Sequence, residues 1–155
     1  MKKLLVALSI SLLAVPAAFA QDGAIWSFKA AQAGQYEGGV TLPDQSAGIS
    51  YDCSSLGTHL TFWAQGMHIA PGETRILVDG AVVEVARPQA GYLSLDDRTT
   101  QAFDVPAGYG QRMKDEINSV ISALAGGEEV VWLTPSGDRF TFPLKGSEKI
   151  SRCKR

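Results

Sequence analysis

The chain has 155 residues, 45% of them hydrophobic and 19% charged, with 14 basic against 16 acidic side chains. That length and apolar content suffice for one domain with its own core. A formal net charge of −2, with no concentrated basic face, excludes the electrostatic footprint of a nucleic-acid-binding protein.

The first twenty residues, "MKKLLVALSISLLAVPAAFA", combine Lys2 and Lys3, an apolar run from Leu4 to Val15 and the ending Ala18-Phe19-Ala20. This is the layout of a secretory signal peptide with cleavage before Gln21. A spanning helix needs about 20 consecutive apolar residues, and Pro16 interrupts the run. The reading is therefore a leader over 1–20 and one β-rich domain over 21–155, exported to the periplasm of a bacterium or secreted, with no transmembrane segment after cleavage. Loss of Lys2 and Lys3 leaves 12 basic against 16 acidic residues.

Beyond the leader, short strand-like runs alternate with turn signals. "AIWSFKA" (24–30) is a first apolar run; a glycine-rich stretch, "AGQYEGGV", follows, and Pro43-Asp44 marks a turn. In "GISYDCS", Ile49, Tyr51 and Cys53 share a face, which directs Cys53 toward the core. "HLTFWAQG" repeats the alternation and places Trp63 on the face opposite Leu60 and Phe62. Asp79-Gly80 inside "TRILVDGAVVEVA" is a two-residue hairpin signal, because a type I′ turn needs positive φ at both central residues. "GYLSLDDRTTQAFDVP" reads as another hairpin turning near Asp96-Asp97.

The period then changes from two to 3.6. Met113, Ile117, Val120, Ile121 and Leu124 form one stripe of a helix over about 111–125, with Asp115 and Glu116 early in it and Gly126-Gly127 as a left-handed stop. "EEVVWLTPSGDRFTFPL" is a final hairpin around Pro135-Ser136-Gly137-Asp138. In "GSEKISRCKR", Ser147 is placed to cap a short helix whose Ile150 and Cys153 lie on one side.

Cys53 and Cys153 are the only cysteines. An even count in an exported chain predicts a disulfide, here closing a loop of 100 residues and pinning the tail to the body. No C-x-x-C is present, and His59 and His68 lack any spacing that would complete a metal site, so no metal, cofactor or redox motif is expected. No catalytic residue is assigned either: there is no G-x-S-x-G, Walker or dinucleotide signature, and the acidic pairs Asp96-Asp97 and Glu128-Glu129 fit turns and strand entries. The cluster of Lys145, Lys149, Arg152, Lys154 and Arg155 reads as a solvated end in preference to a phosphate site. Trp63 is the candidate partner contact; it either packs under the helix or stays exposed as an anchor for a protein or glycan.

The segment "GEEVVWLTPSGDR" and the ending "FTFPLKGSEKISRC", behind an amphipathic helix, resemble the C-terminal half of small secreted proteins of the invasion-associated locus B type. The likeness covers about residues 111–153, and Gly146, Ser147 and Ile150 stand where that family closes its domain. It implies a sandwich-like exported protein and brings no catalytic residues. The expectation is thus a β-rich α+β fold, an antiparallel β-sandwich or open barrel with one covering helix and a short C-terminal helix. The expected activity is non-enzymatic binding of a protein or envelope component. The alternatives are a small envelope hydrolase, an inhibitor of an envelope enzyme, or a structural envelope protein. A histidine, an acid and a serine in one cleft would favour the enzyme.

Overall fold

The computed structural model describes residues 23–32, 34–66, 72–86, 92–93, 98–106, 108 and 110–155. The leader, His68 and the Asp96-Asp97 turn lie outside the described residues.

Side-chain alternation builds the first sheet. In β3 (Ala47–Ser54), Ala47, Ile49, Tyr51 and Cys53 are buried while Ser50 and Asp52 are exposed. The partner strand β4 (Gly57–Gln65) buries Thr58, Leu60, Phe62 and Ala64 on the matching face. Around this pair an antiparallel sheet runs in the order β1-β2-β3-β4-β8-β7, completed by β1 (Ser27–Ala30), β2 (Tyr36–Thr41), β7 (Tyr92–Leu93) and β8 (Arg98–Pro106). The glycine-rich stretch that the sequence left between two strands is itself β2. Its glycines permit close approach: a Cβ on Gly38 would run into Ser27 O and the Tyr51 hydroxyl, and one on Gly39 into Ile49 O.

The second sheet has the order β10-β9-β5-β6. It contains β5 (Thr74–Val78), β6 (Ala81–Ala86), β9 (Glu129–Leu133) and β10 (Arg139–Pro143), all antiparallel. The β5–β6 turn is the predicted one, with Asp79 at φ 50° and Gly80 at φ 80°. Asp79 also reaches sideways: its Oδ1 accepts the main-chain N–H groups of Glu128 and Glu129, both at 2.9 Å.

The two sheets meet through aromatic side chains. Phe62 of the first sheet lies 5.9 Å, centroid to centroid, from Trp132 of the second, and Trp132 continues to Phe140 at 5.2 Å. Trp132 is fully buried, and its Nε1–H donates to Thr74 Oγ1 at 2.9 Å, so the indole enters the core with its polar atom satisfied. Trp26, just ahead of β1, donates to the Pro143 carbonyl at 2.7 Å and so ties the first sheet to β10.

The helix α1 (Gln111–Gly126) buries Ile117, Val120, Ile121 and Leu124, the predicted stripe, with Met113 partly covered. Two local expectations are corrected. Asp115 and Glu116 lie beyond the first turn, which holds no acidic residue. Gly127 has φ −89°, an extended backbone, so it does not close the helix in the left-handed region. Its need is space: a Cβ there would meet Val78 Cγ1 and Leu144 Cδ1.

The tail forms a 3-10 helix (Ser147–Cys153) that buries Ser147, Ile150 and Cys153. Ser147 is not its cap; Gly146, at φ 93°, takes that position. The Ser147 hydroxyl donates instead to the Leu124 carbonyl at 2.6 Å. That carbonyl needs a donor, because the N–H of Glu128, four residues on, is taken by Asp79. Cys153 is disulfide-bonded to Cys53, with Cα atoms 5.4 Å apart, as the sequence predicts. The result is a β-rich α+β fold with two antiparallel sheets, a covering helix and a stapled tail.

Candidate functional site

The face of the first sheet turned away from the core carries the most varied chemistry. Alternation sends Ser27 and Lys29 of β1, Glu37 of β2, Ser50 and Asp52 of β3, and His59, Thr61 and Trp63 of β4 to that face. Register sets Ser50 opposite Thr61 and Asp52 opposite His59, while the β8 residue paired with His59 is Asp104. Lys29, Glu37, Ser50, Asp52, His59 and Thr61 line an open depression of about 460 Å³.

A second depression of about 480 Å³ shares Ser27, Gly38 and Ser50 with the first and continues to Val40, Thr41 and Trp63. A third, bounded by Leu42, Pro43 and Gln45, shares Thr41 and Trp63 with the second. The three form one trough across β1 to β4. One end is polar and charged. The other has an aromatic floor.

Trp63 makes that floor because of Gly48. The two are register partners, and a Cβ on Gly48 would collide with the indole at Cζ2 and Cε2. A strand glycine covered by a cross-strand aromatic ring loses its exposed backbone, and the ring gains a flat seat. Trp63 is 9% exposed, and it stands outside the buried cluster that holds Ile117, Val120, Ile121 and Leu124 of α1. The sequence offered two places for this side chain, and the structure uses a third. A glycine at the opposing position of a neighbouring strand was the available signal, and it becomes visible only once the β3–β4 register is known.

Three ionisable groups in and beside the trough respond to this setting. Glu37 accepts a hydrogen bond from Lys29 Nζ at 2.8 Å, and this pairing raises the pKa of the ammonium above its usual value. Tyr51 lies under the trough, donating to the Ser27 carbonyl at 3.3 Å, and burial pushes its phenol up to about 12. Asp44, in the turn beside the aromatic end, sits below the ordinary carboxylate range because the Ser46 N–H and hydroxyl both donate to it.

No protein-family model, curated protein or solved structure matches the chain.

Of the predicted residues, the trough holds Trp63 and His59, whereas Cys53 and Cys153 lie at the tail, joined to each other. Ser50, Asp52 and Thr61 were not singled out in the sequence; ordinary polar residues on an alternating strand carry no signature there. Among the described residues no group of three or more His, Cys, Asp or Glu could hold a metal ion, and no helix is long and apolar enough to cross a membrane.

Proposed function

We propose that this is an exported bacterial binding protein, periplasmic or secreted, which recognises a protein or envelope component along the trough on the first sheet. One observation carries the reading: a continuous open surface joins a seated tryptophan to a row of hydroxyl, imidazole and charged side chains. Small-molecule sites enclose most of their ligand. An open trough across four strands suits a long or flat partner, with the aromatic end supplying apolar contact and the polar end hydrogen bonds. The Cys53–Cys153 bridge supports export, since such bonds persist in oxidising compartments.

A second reading, a small envelope hydrolase, draws on Ser50, Asp52 and His59 sharing the trough. Ser50 is the diagonal neighbour of His59, roughly 7–8 Å away at Cα, a spacing the two side chains can span. What weighs against the reading is the openness of the trough, since a nucleophilic site works best where water is excluded.

Affinity capture from envelope extracts, with the oxidised protein lacking residues 1–20 as bait, tests the binding reading. Ser50→Arg and Thr61→Arg fill the trough from exposed or half-exposed positions and should abolish capture, while Arg75→Glu on the second sheet should not. Capture indifferent to all three, or none across several extracts, would remove the proposal. Turnover of ester, peptide or glycan substrates that disappears in His59→Gln would establish the hydrolase instead.

A further inference from the structure

A second site lies at the tail, independent of the trough. The last eleven residues hold Lys145, Lys149, Arg152, Lys154 and Arg155 against Glu148 alone. Residues 21–144 carry the remaining 15 carboxylates and only seven basic residues. The protein is therefore acidic with one cationic corner.

That corner is built, not loose. Beyond the disulfide, Thr58 Oγ1 donates to the Cys153 carbonyl at 3.1 Å. Arg155 exchanges two hydrogen bonds with Asn118 of α1, its N–H donating at 2.8 Å and its carbonyl oxygen accepting at 2.7 Å. The Arg155 guanidinium also donates to the Gly57 carbonyl and to Thr58 Oγ1. Further along, Arg152 lies 5.3 Å from the Phe28 ring centroid and 5.6 Å from that of Tyr36, and Lys149 lies 5.4 Å from Phe28. The cations are positioned by packing, so their ordering cost is already met by the fold.

Arg152, Lys154 and Arg155 line a small pocket of about 180 Å³, whose other lining includes Ser54, Ser55 and the disulfide. No aspartate or glutamate is among its lining residues. Arg155 is steadied by Gly57 and Thr58 and Arg152 by the Phe28 and Tyr36 rings, partners that leave the positive charge of the hollow in place. The residues that line it supply guanidinium, ammonium and hydroxyl donors, the set that suits a tetrahedral oxyanion. We infer that this pocket binds a phosphate group, the two sources being inorganic phosphate and the headgroup of an anionic lipid. The Ser54 hydroxyl keeps its proton available, since its oxygen serves as acceptor for the Leu56 N–H at 3.1 Å.

The test uses the oxidised protein lacking residues 1–20 at low ionic strength, where exposed charges are least screened. Inorganic phosphate is titrated while amide resonances are followed by NMR. Saturable shifts confined to residues 54–55 and 152–155 are expected. Lys154→Glu should weaken binding at least tenfold, and Arg152→Gln should do the same by a route that adds no negative charge. In parallel, co-sedimentation with vesicles containing phosphatidic acid is compared with phosphatidylcholine alone. Binding in the first titration identifies a free-phosphate site; binding to the acidic vesicles alone identifies a headgroup site; both must be lost in the two variants. Linear shifts spread over all basic residues, binding unchanged in Lys154→Glu and Arg152→Gln, or no binding in either arm would overturn the inference.

Discussion

Replacing both bridged cysteines by alanine, Cys53→Ala with Cys153→Ala, isolates what the staple contributes. The bond closes a loop of 100 residues, and the chain-entropy relation gives about 4.7 kcal/mol for a loop of that length at 25 °C. Strain and residual structure in the unfolded chain reduce such values, so a loss of about 3–5 kcal/mol is expected, a large part of the 5–15 kcal/mol typical of a domain. The tail has other anchors in buried Ile150, the Ser147–Leu124 hydrogen bond and the Arg155–Asn118 pair, so it should stay docked in the native variant. If the effect acts through the unfolded state, the urea m-value must rise as the uncrosslinked chain exposes more surface. Urea denaturation of the oxidised protein and the double variant, followed by tryptophan fluorescence, measures both quantities. A loss below about 1 kcal/mol with an unchanged m-value would refute the reasoning.

Further expectations concern single positions. Gly127→Ala should destabilise by about 1–3 kcal/mol through overpacking against Val78 and Leu144, measured by urea denaturation. Were glycine there only for backbone freedom, alanine at φ −89° would be neutral or slightly stabilising. Ser147→Ala removes the donor from the buried Leu124 carbonyl and should cost about 1–3 kcal/mol in the same assay; a change within 0.5 kcal/mol, roughly the surface-substitution range, would show that another group satisfies that oxygen. Tyr51 titrates in the alkaline range: its folded pKa of about 12 exceeds the ordinary value of 10, so the folded state holds its proton while the unfolded state releases it. Stability is therefore intact below about pH 10 and falls as pH rises toward 12, by at most about 2.7 kcal/mol at 1.36 kcal/mol per unit. Tyr51→Phe should flatten that limb of the stability–pH curve, and an unchanged slope would count against the burial of the phenol as its cause.

Local periodicity made much of the fold legible. The 113–124 stripe, the Asp79-Gly80 turn and the alternation that aims Cys53 inward are each written within about a dozen residues, where one physical rule dominates. What stayed hidden depends on contacts between segments far apart in the chain. Gly38 and Gly39 look like a linker until Tyr51 and the β3 backbone are known to cross them. Ser147 looks like a cap until Asp79, more than sixty residues away, is seen to claim the N–H that would have satisfied Leu124. The trough follows the same logic, since Trp63 takes its place from a glycine on the neighbouring strand and its polar row from three further strands.

The claim that the outward face of the first sheet is the binding surface is tested most directly by photo-crosslinking in producing cells. A photoreactive residue is placed in turn at Thr61 in the trough and at Arg75 on the second sheet. The account predicts a discrete adduct from position 61 that is lost when Ser50→Arg fills the trough, with none from position 75. Equal labelling at both positions, or an adduct at 75 alone, would contradict it.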